Sequence, residues 1–152
     1  MQSVKRLMLA LTFAAAAATG VSGQAADPAP LVDPNKATEA QLTAVPHITP
    51  EIGKAIVAKR PFASILDLDK LLADQKLTEA QRKEVYGKLF VRINLNTASD
   101  EEIMKIPGMG KRMLHEFKEY RPYKSIEVFR REIGKYVSKE EVARFERYVT
   151  LS

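Results

Sequence analysis

Residues 32–66 come back at residues 93–127, shifted by 61 positions and without a gap. A chain repeated in this way has to fold as two copies of one unit, since each pattern of apolar and turn residues solves the same packing problem. Asn35 meets Asn96, Ala37 meets Ala98, and Pro46 meets Pro107. Arg60-Pro61 meets Arg121-Pro122, and Ser64-Ile65 meets Ser125-Ile126. The apolar positions follow the same register: Leu42/Ile103, Val45/Ile106, Ile48/Met109, Ile56/Phe117 and Phe62/Tyr123. One residue drops out later, so Leu77-Thr78 meets Val137-Ser138. A unit of about 60 residues lies near the lower limit for an independent core. The two units are therefore expected to pack on each other, or to share the junction at 89–95.

Each unit reads as four helices. The first opens at a capping box, Thr38 with Gln41 or Ser99 with Glu102, which satisfies orphan N–H groups at a helix start. Pro46 or Pro107 ends it, because the residue before proline is pushed out of helical geometry. The second runs from about Pro50 to Arg60, or from Lys111 to Arg121. Met113, Leu114, Phe117 and Tyr120 share one face of the second copy. A short third helix carries Ile65, Leu68, Leu71 and Leu72, or Ile126, Phe129 and Ile133. The fourth opens at another capping box, Thr78 with Gln81 or Ser138 with Glu141, and carries Val85 and Leu89, or Val142, Phe145 and Val149. No stretch alternates with period two between hairpin turns, so the fold class is all-α, with units at 27–92 and 93–152.

The first 26 residues read differently. Lys5 and Arg6 precede an apolar run from Leu7, and small residues follow at Gly20, Ser22, Gly23, Ala25 and Ala26. That order is that of a secretory signal peptide. The run from Leu7 to Val21 falls short of the ~20 residues that span a bilayer. Residues 1–26 are thus expected to be an export signal, with the remainder released into the periplasm or beyond. Their loss turns a formal charge of +5 into +3, from 22 basic and 19 acidic side chains. Residues 27–92 hold 10 basic and 9 acidic groups, and 93–152 hold 12 and 10, so overall charge points to no particular partner. The absence of Cys excludes a disulfide scaffold, a thiolate zinc site and a thiol nucleophile.

The most informative segment is Ile106-Pro107-Gly108-Met109-Gly110-Lys111. Two glycines around one apolar residue let the chain reverse between two amphipathic helices. The N–H groups that open the following helix have no intrahelical acceptor. With the positive end of the helix dipole they make an anion site. In the first copy the same turn reads Val45-Pro46-His47-Ile48-Thr49-Pro50-Glu51. There Pro50 removes a donor and Glu51 brings a negative charge, so that copy reads as structural.

The run from Ile93-Asn94-Leu95-Asn96-Thr97-Ala98-Ser99-Asp100, through Pro107-Gly108-Met109-Gly110-Lys111, to Tyr120-Arg121-Pro122-Tyr123 resembles the helix-hairpin-helix domain. Its closest form is that of exported competence proteins of the ComEA family. The resemblance implies weak, sequence-independent binding of duplex DNA through hairpin N–H groups on phosphates. Gly108, Gly110 and Lys111 would be the contacts and Arg112 a flanking cation. Such contacts position a protein on DNA without reading bases. Pro61-Phe62-Ala63-Ser64-Ile65 followed by the Leu77–Gln81 segment is similar to the PsbU family of extrinsic photosystem II subunits. That likeness implies the alternative, a structural or protein-docking module of the cell envelope with no DNA binding.

Other clusters carry less. His115 reads as an exposed helix residue. Lys111-Arg112, Arg121, Lys124, Arg130-Arg131 and Lys135 form a basic set interleaved with Tyr120, Tyr123 and Tyr136, a composition that can stack single-stranded bases. Those tyrosines are instead expected to bury their rings and keep the hydroxyl wet. Asp67-Leu68-Asp69 and Glu140-Glu141 read as solvated faces and capping groups. No nucleophile, base and orienter come together, so no enzyme activity, metal or cofactor is expected.

Overall fold

A computed structural model describes residues 29–151; the expected export signal at 1–26 lies outside the described residues. The first unit contains α1 (Glu39–Thr43), α2 (Pro50–Lys59), α3 (Ile65–Asp74) and α4 (Glu79–Tyr86). The second contains β1 (Ile93–Asn94), α5 (Asp100–Met104), α6 (Lys111–Glu119), α7 (Ile126–Ile133), α8 (Lys139–Glu146) and β2 (Val149–Thr150). The fold is all-α in class, as the periodicity predicts, and the capping boxes at Thr38, Thr78 and Ser99 form with both partners. At Ser138 only half of the box forms. The hydroxyl caps Glu141 N–H, but the Glu141 carboxylate turns to Arg144 instead of the cap backbone.

The one departure in class is the two short strands. Ile93 and Asn94 pair in parallel with Val149 and Thr150, and an isolated bridge joins Val32 to Leu89. These are equivalent positions, so each unit closes by pairing its entry with its exit. Two-residue strands offer no alternation to read, and their partners lie more than 50 residues away, beyond any local pattern.

The repeat extends to side-chain chemistry. Asn35 Nδ2 donates to the Phe62 carbonyl at 3.1 Å while its Oδ1 accepts from Phe62 N–H at 2.7 Å. Asn96 does the same with Tyr123, at 3.1 and 2.7 Å. Arg60 donates to the Pro34 and Ala37 carbonyls, and Arg121 to those of Leu95 and Ala98 at 2.6 and 2.9 Å. Both Arg–Pro peptide bonds are cis. The matched Asn and Arg-Pro of the sequence thus tie the entry of each unit to the turn after its second helix.

Apolar side chains of both units join in one cluster. The two halves fill it differently. Ile56, Leu68 and Val85 of the first unit correspond to Phe117, Phe129 and Phe145 of the second. The Phe117 ring meets the other two edge-on, at 5.3 and 5.4 Å between centroids.

The units also lock together, as their size requires. Phe90 stands between Tyr86 and Tyr148, edge-on to both, and the Tyr148 hydroxyl donates to the Tyr86 carbonyl at 3.1 Å. Asp69, expected on a solvated face, is the polar counterpart of this contact. Its Oδ1 accepts from Arg82 Nε at 2.9 Å and from the Tyr86 hydroxyl, and its Oδ2 from Lys105 Nζ of the second unit at 2.9 Å. The expectation failed because all three partners come from outside α3, two from α4 and one from the end of α5, which a local charge pattern does not reveal.

Burial alone would raise the Asp69 pKa, but the hydrogen bonds from Tyr86 and Lys105 and the charges of Lys105 and Arg82 outweigh it and hold the carboxyl below its ordinary value. A depressed carboxylate contributes stability above its unfolded pKa and loses it as pH falls through the folded one. Asp69→Asn should therefore cost about 1–2 kcal/mol at pH 7, the lower part of the range for unpaired hydrogen-bonding groups because the site is partly wet. The difference from the parent should close below about pH 4, as read by urea unfolding across that range.

Candidate functional site

The two hairpins share a backbone and differ in how they are closed. Gly108 has a φ of 78° and His47, at the matching position, 66°. Both are in the left-handed region, which glycine enters without a Cβ penalty and histidine does not. Ile48 and Met109 point into the core beside them.

A side chain from the last helix of each unit reaches back to its hairpin. Arg144 of α8 donates to the Pro107 carbonyl at 2.6 Å and pairs with Glu141. The matching residue of α4 is Glu84, whose Oε2 lies 2.7 Å from His47 Nε2. A Cβ on Gly108 would come within 3.0 Å of the Arg144 guanidinium. Gly108, expected as a phosphate contact, is exposed and also serves the hairpin's own construction. Sequence reasoning missed Arg144 and Glu84; the available signal was a pair of opposite charges at equivalent positions of the fourth helices.

Gly110 is different. Its φ of −116° is ordinary extended backbone, it is exposed, and nothing lies within 4 Å of where a Cβ would stand. It is the N-cap of α6 and makes no side-chain cap bond. The other seven described helices each begin with a Ser or Thr cap and an acidic residue in the first turn. In α2 the corresponding place is occupied from within. Thr49 caps Ile52 N–H, Pro50 removes a donor, and Glu51 is held ionised by its backbone hydrogen bond and the Thr49 hydroxyl. The first turn of α6 instead carries exposed Lys111 and Arg112 and no acid. Its dipole and its free N–H groups are thus offered outward.

The basic set seen in the sequence is largely spoken for. Arg121 holds the entry segment. Arg130 pairs with Glu146, and Arg131 and Lys135 with Glu132, whose carboxyl is held low first by Lys135 and then by Arg131. His115 is exposed beside Glu119 at 3.2 Å. Among the described residues Lys111 enters no ion pair, and the Arg112 guanidinium lies over the Tyr136 ring. The site is then Gly110, Lys111 and Arg112, with Gly108 and Arg144 shaping it. An open cleft of about 730 Å³ runs between the units beside it, lined among others by Leu66, Asp69, Met104 and Pro107. Among the described residues no acidic or histidine cluster could hold a metal, and no helix is long and apolar enough to cross a membrane.

Residues 27–79 match the family described as the helix-hairpin-helix motif. That motif serves generically in nucleic-acid binding and in structural roles. The match spans α1 to α3 and stops at the first residue of α4. No curated protein and no solved structure matches the chain.

The unequal glycines lead to unequal substitutions. Gly108→Ala should cost about 1–3 kcal/mol, from the left-handed φ and the encounter with Arg144. Gly110→Ser should raise stability by about 0.5 kcal/mol, since it supplies the hydroxyl cap that Thr49 provides in the first unit. Thermal and urea unfolding of the two variants would show opposite signs.

Proposed function

From a helix-hairpin-helix architecture built twice in one chain, we propose that this protein binds duplex DNA weakly and without sequence preference through the second hairpin. The observation that carries the reading is the start of α6, where cap and acid are both missing and two cations stand in their place. A phosphate there would accept from the N–H groups of the first turn and sit at the positive pole of the helix. Lys111 and Arg112 would add charge without geometry for reading bases, so the contact would position rather than specify. The first unit is the structural half: its hairpin is closed by His47 and Glu84, and its helix start is filled by Thr49 and Glu51. The tertiary ties between the units would then hold the active hairpin rigid.

The setting we propose is outside the cytoplasm, on the basic, apolar and small-residue order of residues 1–26. Sequencing the N-terminus of the protein recovered from an envelope or periplasmic fraction should begin near Asp27; a chain retaining Met1 in the cytosol would defeat this.

For DNA, a fluorescence-anisotropy titration with a labelled duplex at several salt concentrations is decisive. A hairpin that neutralises two or three phosphates gives a log–log salt slope of about −2 to −3. Lys111→Glu/Arg112→Glu should reduce affinity at least about tenfold at low salt and flatten that slope. Unaltered binding by the double variant, or none by the parent at low salt, would sink the proposal and return the chain to the protein-docking reading.

A further inference from the structure

Arg112, Tyr120, Lys135 and Tyr136 form a cluster that neither the fold nor phosphate contact explains. Tyr86, Tyr123 and Tyr148 are buried, whereas Tyr120 and Tyr136 are only half-buried. Their hydroxyls are 2.7 Å apart, and their rings lie 6.5 Å apart at 46°. The Arg112 guanidinium is 5.9 Å from the centre of the Tyr136 ring, and the Lys135 ammonium 5.2 Å from that of Tyr120. Arg112, Glu116 and Tyr120 follow one face of α6 at i, i+4 and i+8. Tyr136, from the turn between α7 and α8, meets that face through its hydroxyl bond to Tyr120 and its ring beneath Arg112.

The first unit shows that this cluster is not needed to build the fold. On the gapless register Arg112 corresponds to Glu51, Glu116 to Ala55 and Tyr120 to Lys59. The turn between α3 and α4, at 75–78, has no aromatic residue. The first unit therefore keeps the same fold with no aromatic residue at these positions. What distinguishes the second unit is an aromatic pair that runs along α6 from its C-cap, Tyr120, and is linked to the helix start by Arg112 lying over Tyr136.

We propose that Tyr136 and Tyr120 form a stacking platform for one unpaired nucleobase of a strand whose phosphate sits at the start of α6. Aromatic rings beside cations that follow a backbone are the general means of holding unpaired bases, since every base has a π-face. The platform rests on the DNA reading above and refines its substrate class, from any duplex to duplex with a single-stranded end or junction.

The chain has five Tyr and no Trp, so tyrosine emission includes the platform pair, and its share is the difference between the parent and a variant lacking both rings. The full protein is titrated with a blunt duplex, with the same duplex bearing a short thymidine overhang, and with one bearing an abasic overhang of equal length. The two overhangs have the same phosphates and differ only in bases. Thymidine should bind roughly five- to tenfold more tightly than the abasic overhang and should quench emission. Tyr136→Leu/Tyr120→Lys, the second change restoring the residue of the first unit, should bring the thymidine overhang down to the abasic value. Tyr136→Phe should keep the difference. Equal binding of thymidine and abasic overhangs, with the blunt duplex still bound, overturns the platform and leaves the duplex reading standing. No binding of any probe overturns both.

Discussion

Each unit depends on two side chains that act in place of backbone. The amide of Asn35 or Asn96 bonds both polar groups of a residue 27 positions on, and Arg60 or Arg121 bonds two carbonyls of the entry loop. These contacts satisfy groups that a sheet or a helix would otherwise have to satisfy. They set the approach of the first helix to the second, and hence the direction in which the hairpin points. The Asn and Arg-Pro that recur in the sequence are thus scaffold, although an arginine near a candidate DNA site invites a functional reading.

On that common frame the two hairpins have diverged electrostatically. The first carries its own cap and its own carboxylate at the helix start, so the positive pole is already met. The second leaves that pole open and adds Lys111 and Arg112. The last helix follows suit, with Glu84 facing His47 in one unit and Arg144 facing Pro107 in the other. An identical backbone therefore presents a closed end and an open end. The rigid coupling through Phe90, Tyr148 and Asp69 makes the closed unit a support for the open one.

Much of this was legible in the chain. The gapless repeat, the capping residues and the prolines placed the first two helices of each unit to within a residue or two and marked where the fourth begins; the fourth helices stop at Tyr86 and Glu146, before Leu89 and Val149, which pair with the unit's entry instead. The Gly-Met-Gly-Lys turn marked the candidate site. Two of its residues then separated in role, because Gly108 is needed for a left-handed φ and for the close approach of Arg144, while Gly110 is open to solvent. The short strands escaped notice, being two residues long and paired across a whole unit. Asp69 also escaped, because Tyr86 and Arg82 come from α4 and Lys105 from the other unit.

What the sequence determined by itself was local: where helices start and stop, which faces are apolar, and that one helix begins without an acid. These follow from backbone sterics and hydrogen bonding within a few residues. Only the tertiary structure decided which cations stay available. Of the basic set, Arg121, Arg130, Arg131 and Lys135 are taken up by partners, Lys124 is exposed without an ion pair among the described residues, and Lys111 and Arg112 stand at an open helix end beside two half-exposed tyrosines. That sorting depends on charges brought within a few ångströms across the fold, where the strength of an interaction follows distance in space and burial, not distance along the chain.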